Sequence, residues 1–256
     1  MPQTIISRQR ESNPRYPSIV PAVLWALFNR QLGRHLSFGT LARRLNSRVS
    51  PAVVSHGMQN IPIGGGYVVT VNHYAREGFS SAWIAIALSA LISTEVTWVM
   101  TDEWVFEGNP LAFALRPPMR FVLRSLHDVF GFLPMPTMAP GYTDTAQRAA
   151  AVRRVIEYVR THPGAVIGLS PEGRDALQPG MGELPAGVGK FILYLNRMGL
   201  RILPVGITEV NGQLAVRFGE PYDLALADAE GDLDGQVRTI VREQISRLIE
   251  PVSSDS

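Results

Sequence analysis

The sequence predicts a single-domain α/β fold: a mostly parallel mixed sheet flanked by helices, preceded by a basic amphipathic helical segment. Two observations predict it. Short β-branched runs alternate with longer helical patterns from Val53 to Ile249, the alternation that βαβ units produce. Two of those runs, Tyr67 to Val71 and Ala165 to Leu169, end in clustered polar residues, Asn72-His73 and Ser170-Pro171-Glu172-Gly173-Arg174. Open α/β sheets bind ligands outside the carboxyl ends of their strands, so both clusters stand where chemistry is done. Taken alone, His73 fits either a general base or a turn histidine bonded to neighbouring backbone.

Residues 1 to 18 are polar and read as loosely held, with no apolar core and cleavage site of a secretory signal. From Ile19 to Leu45 the pattern is helical: Leu24, Phe28, Leu32 and Leu36 recur every four residues, flanked by Arg30, Arg34, Arg43 and Arg44. The apolar part is too short to span a bilayer, and Trp25 and Phe28 beside arginines suit an interface, so residues 1–48 are expected to lie on a membrane surface, the alternative being a domain helix packed on the core. Residues 49–256 are expected to form the α/β domain. Val53 to His56 reads as a short strand and Tyr67 to Val71 as an interior one. Phe79 to Ser93 reads as a buried helix, Val96 to Met100 as a strand, and Leu111 to His127 as a helix interrupted at Pro117-Pro118. A brief extended piece at Gly131 to Pro134, a covering helix at Thr143 to His162 and the strand Ala165 to Leu169 follow. Gly187 to Met198 (helix), Ile202 to Thr208 and Leu214 to Phe218 (strands) and Asp234 to Ile249 (helix) complete the order.

With 256 residues, 46% of them hydrophobic, one core is large enough to be stable without staples. There is no cysteine, which excludes disulfides, thiolate nucleophiles and cysteine-based metal sites, and no histidine spacing suggests a metal. No cofactor is expected. The net charge of +2 conceals an asymmetry: residues 1 to 76 hold nine arginines and one acid, Glu11, a local charge of +8 against −6 for the remainder. Lys190 is the only lysine, and arginine suits phosphate groups on anionic lipid or nucleic acid. No nucleic-acid module is recognisable, so a nucleic-acid partner is not expected.

Several familiar signatures fail on their residues. Gly168-Leu169-Ser170-Pro171-Glu172 ends in glutamate where a nucleophile elbow has glycine, and no histidine follows it. Gly189-Lys190 lacks the earlier glycine and following hydroxyl of a P-loop, and Gly64-Gly65-Gly66 precedes a strand rather than following one. What survives is an ordered set: Val53 to Ile61 with Gly57 and Pro62, then Asn72-His73, Gly131, Pro171-Glu172-Gly173 and Ile202-Leu203-Pro204-Val205. Over residues 50 to 220 this set resembles the block pattern of the glycerolipid (lysophosphatidate and glycerol-phosphate) acyltransferase family.

The resemblance implies an O-acyltransferase that moves a fatty acyl group from acyl-CoA or acyl carrier protein to a hydroxyl of a lysophospholipid or related lipid acceptor. His73 would be the general base. Asn72, Glu172, Gly173 and Arg174 would serve substrate binding, Arg174 meeting an anionic group of the acceptor with Arg120 and Arg124 in reserve. The implied setting is cytoplasmic, peripheral on the inner face of a membrane with anionic lipid. The sequence departs from the family in three places. Its aspartate five residues after the histidine is Gly78, making the His-x4-Asp motif degenerate. The arginine after Pro-Glu-Gly comes one residue early, and Phe132-Leu133-Pro134 follows Gly131 where an arginine is usual. Glu77 is then the candidate to orient the His73 ring, and a lipid-binding protein with impaired catalysis on the same fold is the alternative reading.

Overall fold

The centre of the sheet is β2 (Tyr67–Val71), whose five residues are all buried, as expected of a β-branched run covered on both faces. The protein is described from a computed structural model covering residues 13–103, 112–137, 145–173, 180–225 and 231–249. In chain order its elements are α1 (Val20–Gln31), α2 (Phe38–Asn46), β1 (Val54–His56), β2, α3 (Ala82–Leu91), β3 (Val96–Thr101) and α4 (Ala112–Phe130). They continue with β4 (Leu133–Met135), α5 (Thr145–Thr161), β5 (Val166–Leu169), α6 (Val188–Arg197), β6 (Arg201–Val210), β7 (Gln213–Phe218) and α7 (Leu233–Ile249).

The seven strands lie in the order β1-β7-β6-β2-β5-β3-β4. All neighbouring pairs are parallel except β6 and β7, so the sheet is mixed and mostly parallel, as its sequence predicts. The reversal has a local cause. Asn211 and Gly212 join Val210 to Gln213 with φ of 51° and 72°, the two left-handed residues of a type I′ hairpin turn. Each face of the sheet carries its own core: α2 and α3 with Trp83, Ile84, Leu88 and Trp98 on one side, α6 and α7 with Ile192, Leu195, Val237 and Val241 on the other.

Four local expectations are corrected. The continuous helical pattern from Ile19 to Leu45 is two helices, broken where Gly33 adopts φ 63°. Leu36 leaves the stripe and its N–H donates to Val129 O at 2.8 Å. The second helix, α2, packs on α3 with Phe38, Ala42 and Leu45 in the core, so the chain joins the domain before residue 49. Residues 13–18 are anchored: Arg15 pairs with Ser50 through both backbone N–H groups, and the Tyr16 hydroxyl donates to Glu209. Pro117 and Pro118 lie inside α4 without ending it. Among the described residues no helix is long and apolar enough to cross a membrane.

Candidate functional site

At the carboxyl edge of the sheet the chain leaves β2 as Asn72-His73 and leaves its neighbour β5 as Ser170-Pro171-Glu172. Strand order therefore brings together two clusters that the sequence separates by a hundred residues. The contact is direct: the His73 backbone N–H donates to Glu172 Oε1 at 2.9 Å. Glu172 is 3% exposed, and its Oε2 accepts the Gly182 N–H at 3.1 Å. A buried carboxylate needs such donors, because an unsolvated charge is otherwise expensive. The loop carrying it is a tight turn with Pro171 and Glu172 at its centre, closed by Gly173 N–H donating to Ser170 O at 3.1 Å. Gly173 continues with φ 66°. Arg174 lies outside the described residues.

Asn72 is equally occupied. Its amide donates to Ile207 O at 3.0 Å and accepts the Ile207 N–H at 2.8 Å, extending the β2–β6 pairing by a side chain past the last strand residue. The sequence places Asn72 and Glu172 at the substrate. In the structure both side chains are buried and bonded to backbone, and their direct effect is to fix the path of the chain on either side of His73. The His73 side chain is half-buried at the edge of the sheet.

After His73 the chain makes a turn from Arg76 to Phe79, closed by N–H to carbonyl hydrogen bonds in both directions of 3.0 and 2.9 Å. Gly78 takes φ 80° at its third position, which is why glycine stands there: a type II turn requires a left-handed residue at that place. Glu77 at the second position is exposed, and among the described residues its carboxylate makes no hydrogen bond or ion pair to His73. Its carbonyl accepts from the Arg76 guanidinium.

Arg76 and Glu209 are functional candidates that the sequence reading missed. β6 runs past the level at which β2 ends and presents Glu209 beside the turn, where Arg76 grips both carboxylate oxygens in a bidentate pair. Their side chains are only 19% and 10% exposed. Tyr16 completes the cluster, its hydroxyl donating to Glu209 at 2.7 Å and its ring lying 4.9 Å from Phe79 and 5.2 Å from Trp83. Burial, then the hydrogen bond to Glu209 and its charge, push the Tyr16 hydroxyl well above its ordinary range, so it remains a donor. The available signal was a lone acid, Glu209, ending an otherwise apolar strand just before Asn211-Gly212.

Comparison of the sequence with family models and with curated proteins finds no match. By structure the chain is similar to the 1-acyl-sn-glycerophosphate (LPA) acyltransferase PlsC from Thermotoga maritima, with a TM-score of 0.51 and 16% identity over 85% of this chain and 80% of that one. A seven-stranded, mostly parallel sheet with His73 and Glu172 at its carboxyl edge is thus set in an acyltransferase-like fold.

Proposed function

We propose that the protein is an O-acyltransferase that transfers a fatty acyl group from a thioester, acyl-CoA or acyl carrier protein, to a hydroxyl of a lysophospholipid or related lipid. The observation that carries this reading is the His73–Glu172 junction, which holds a histidine by its backbone at the carboxyl edge of the sheet, its side chain half-buried there. His73 takes the proton of the acceptor hydroxyl as that oxygen bonds to the thioester carbonyl carbon. The tetrahedral oxyanion then collapses, the carbon–sulfur bond breaks, and the departing thiolate takes the proton back from the imidazolium. Asn72, Glu172 and the Arg76–Glu209 pair position the base. Gly173 and Arg174 are assigned to acceptor binding, Arg174 to an anionic group of the acceptor.

The same reading sets the protein on the inner face of a membrane carrying anionic lipid. The exposed stripe Val20, Leu24, Trp25 and Phe28 of α1, with Leu32 just past its end and the arginines nearby, supports it.

Consumption of an acyl thioester in the presence of a lysophospholipid tests the proposal. His73→Ala is expected to lower turnover by about 10²- to 10⁴-fold, the usual worth of a general base. The thermal midpoint should stay in place, because the Glu172 hydrogen bond is to the His73 backbone. Full activity in this variant refutes the mechanism. One observation favours a second reading, a lipid-binding protein without turnover: Gly78 and the exposed Glu77 supply no carboxylate to the ring. A parent protein that copurifies with lipid yet consumes no thioester establishes that reading instead.

A further inference from the structure

We propose that Tyr16 is a positioning residue through which the seating of α1 on an anionic membrane surface tightens the turn that follows His73. The trigger rests on α1 lying at a membrane, and the effect on turnover rests on His73 acting as the base. Tyr16 stands in the segment that enters α1, with Pro17, Ser18 and Ile19 between it and the first helical residue, Val20. The segment is fixed at its start: Pro14 is buried, and Arg15 exchanges backbone hydrogen bonds of 2.7 and 3.1 Å with Ser50. Tyr16 then meets the turn at both ends. Its ring lies 4.9 Å from that of Phe79, the last residue of the turn, and its hydroxyl donates to Glu209 at 2.7 Å. Glu209 grips Arg76, the first residue of the turn, by both carboxylate oxygens. A single side chain outside the sheet thus packs on one end of the turn and, through a shared carboxylate, holds the other.

At the other end of this connection is α1 itself. Ala26 and Asn29 are buried and Arg30 pairs with Asp128 of α4 at 2.9 Å, while Leu24, Trp25 and Phe28 face outward. In water such a helix is held on one face, and at a membrane on two. Lipid against the stripe restricts the helix. Pro17, whose ring fixes φ, makes the joint to Tyr16 short and stiff, so the restriction passes to the Tyr16 hydroxyl. A restrained hydroxyl keeps Glu209 on Arg76 and the turn closed, which fixes the chain beyond His73 when a lipid surface is present. Away from that surface α1 moves more freely and the turn opens more often. The membrane acts here through the freedom of α1, with no contact of its own to His73.

Hydrogen exchange reads the turn without any turnover, because the Arg76 and Phe79 N–H groups are the ones that close it. The full chain is measured with and without mixed phosphatidylcholine–phosphatidylglycerol vesicles, beside Tyr16→Phe, which keeps the ring and loses the hydroxyl. Vesicles are expected to slow exchange at these two amides about tenfold in the parent, the worth of one hydrogen bond to a charged group, and less than about twofold in Tyr16→Phe, with equal vesicle binding. Pro17→Gly keeps the hydroxyl but frees the joint, and is expected to lose the response in the same way. With soluble substrates, a short-chain acyl-CoA and a short-chain lysophospholipid, vesicles should raise the parent's kcat by a similar factor at constant KM and leave both variants unchanged. A parent that shows the exchange pattern but consumes no thioester removes the acyltransferase reading and upholds the coupling of α1 to the turn. Unchanged exchange at the turn in a vesicle-bound parent overturns the coupling and leaves the acyltransferase reading intact. So does a response retained in Tyr16→Phe or Pro17→Gly, or a parent that does not bind the vesicles.

Discussion

Arg76 and Glu209 meet across 133 residues of sequence, and no local pattern could have paired them, because their contact follows only from β6 lying beside β2. His73 and Glu172 were legible for the opposite reason: each is the polar end of a buried strand, and strand ends are written locally. What could not be read was their contact through the His73 backbone, since hydrogen-bond partners at strand ends depend on which strands are neighbours. The Arg76–Glu209 pair allows a prediction. Glu209→Gln leaves a mostly buried guanidinium without its carboxylate, and the full penalty for a buried pair is discounted here because the pair is partly solvated. The expected loss is about 2 to 3 kcal/mol in denaturant unfolding. Turnover is expected to fall more than acceptor affinity, since the pair acts on the position of the His73 turn. Glu77→Gln, changing an exposed carboxylate at the same turn, is expected to leave turnover within about twofold. A sharp fall in that variant, with Glu209→Gln silent, returns the orienting role to Glu77.

Among the elements, α6 depends on a residue from another helix. Its first N–H groups are unsatisfied by its own turn, and Asp234 from α7 supplies the acceptors: Oδ2 to Gly187 N–H at 3.0 Å and Oδ1 to Lys190 N–H at 2.9 Å, with Arg238 at 2.9 Å. Burial alone would raise this carboxyl. The two backbone donors and Arg238 outweigh it and hold the group below its ordinary value. A depressed carboxylate contributes stability above its unfolded value, about 3.9, and loses it as pH falls through the lower folded value. Asp234→Ala is therefore expected to cost about 1 to 2 kcal/mol at neutral pH and to flatten the fall in stability below about pH 4. An unchanged acid limb in unfolding curves contradicts it. The helix α1 makes a separate prediction. Leu24 and Phe28 are 60% and 63% exposed, so Leu24→Glu/Phe28→Glu removes apolar surface from the outside of the protein. Cosedimentation of the full chain with anionic vesicles should fall several-fold without a shift in thermal midpoint, and unaltered cosedimentation places membrane contact elsewhere. The four-residue stripe was legible in the sequence, but its end was not, because Gly33 is one glycine among many until its positive φ is seen.

At the scale of the whole molecule the sequence separated residues 1–48 from the rest by charge, and the structure joins α2 to the domain by packing. Arginines dominate a tally of this segment, yet in α2 Arg43 and Arg44 lie on the exposed face, while Phe38, Ala42 and Leu45 recur at helical spacing against α3. Charge describes what a segment shows to solvent, and spacing describes what it buries. If both faces of the sheet belong to one cooperative unit, a cavity on either face must destabilise the whole. Leu45 in α2 is 6% exposed, and Val241 in α7 is fully buried against the opposite face. Leu45→Ala is expected to cost about 2 to 4 kcal/mol, and Val241→Ala somewhat less because fewer carbons are removed. Tryptophan fluorescence reports the first face through Trp83 and Trp98, and far-ultraviolet circular dichroism reports all helices. Both probes should follow one transition in the parent and in each variant, with the midpoint moved and the slope unchanged. If Leu45→Ala shifts fluorescence while leaving the circular dichroism transition in place, α2 and α3 unfold as a separate unit.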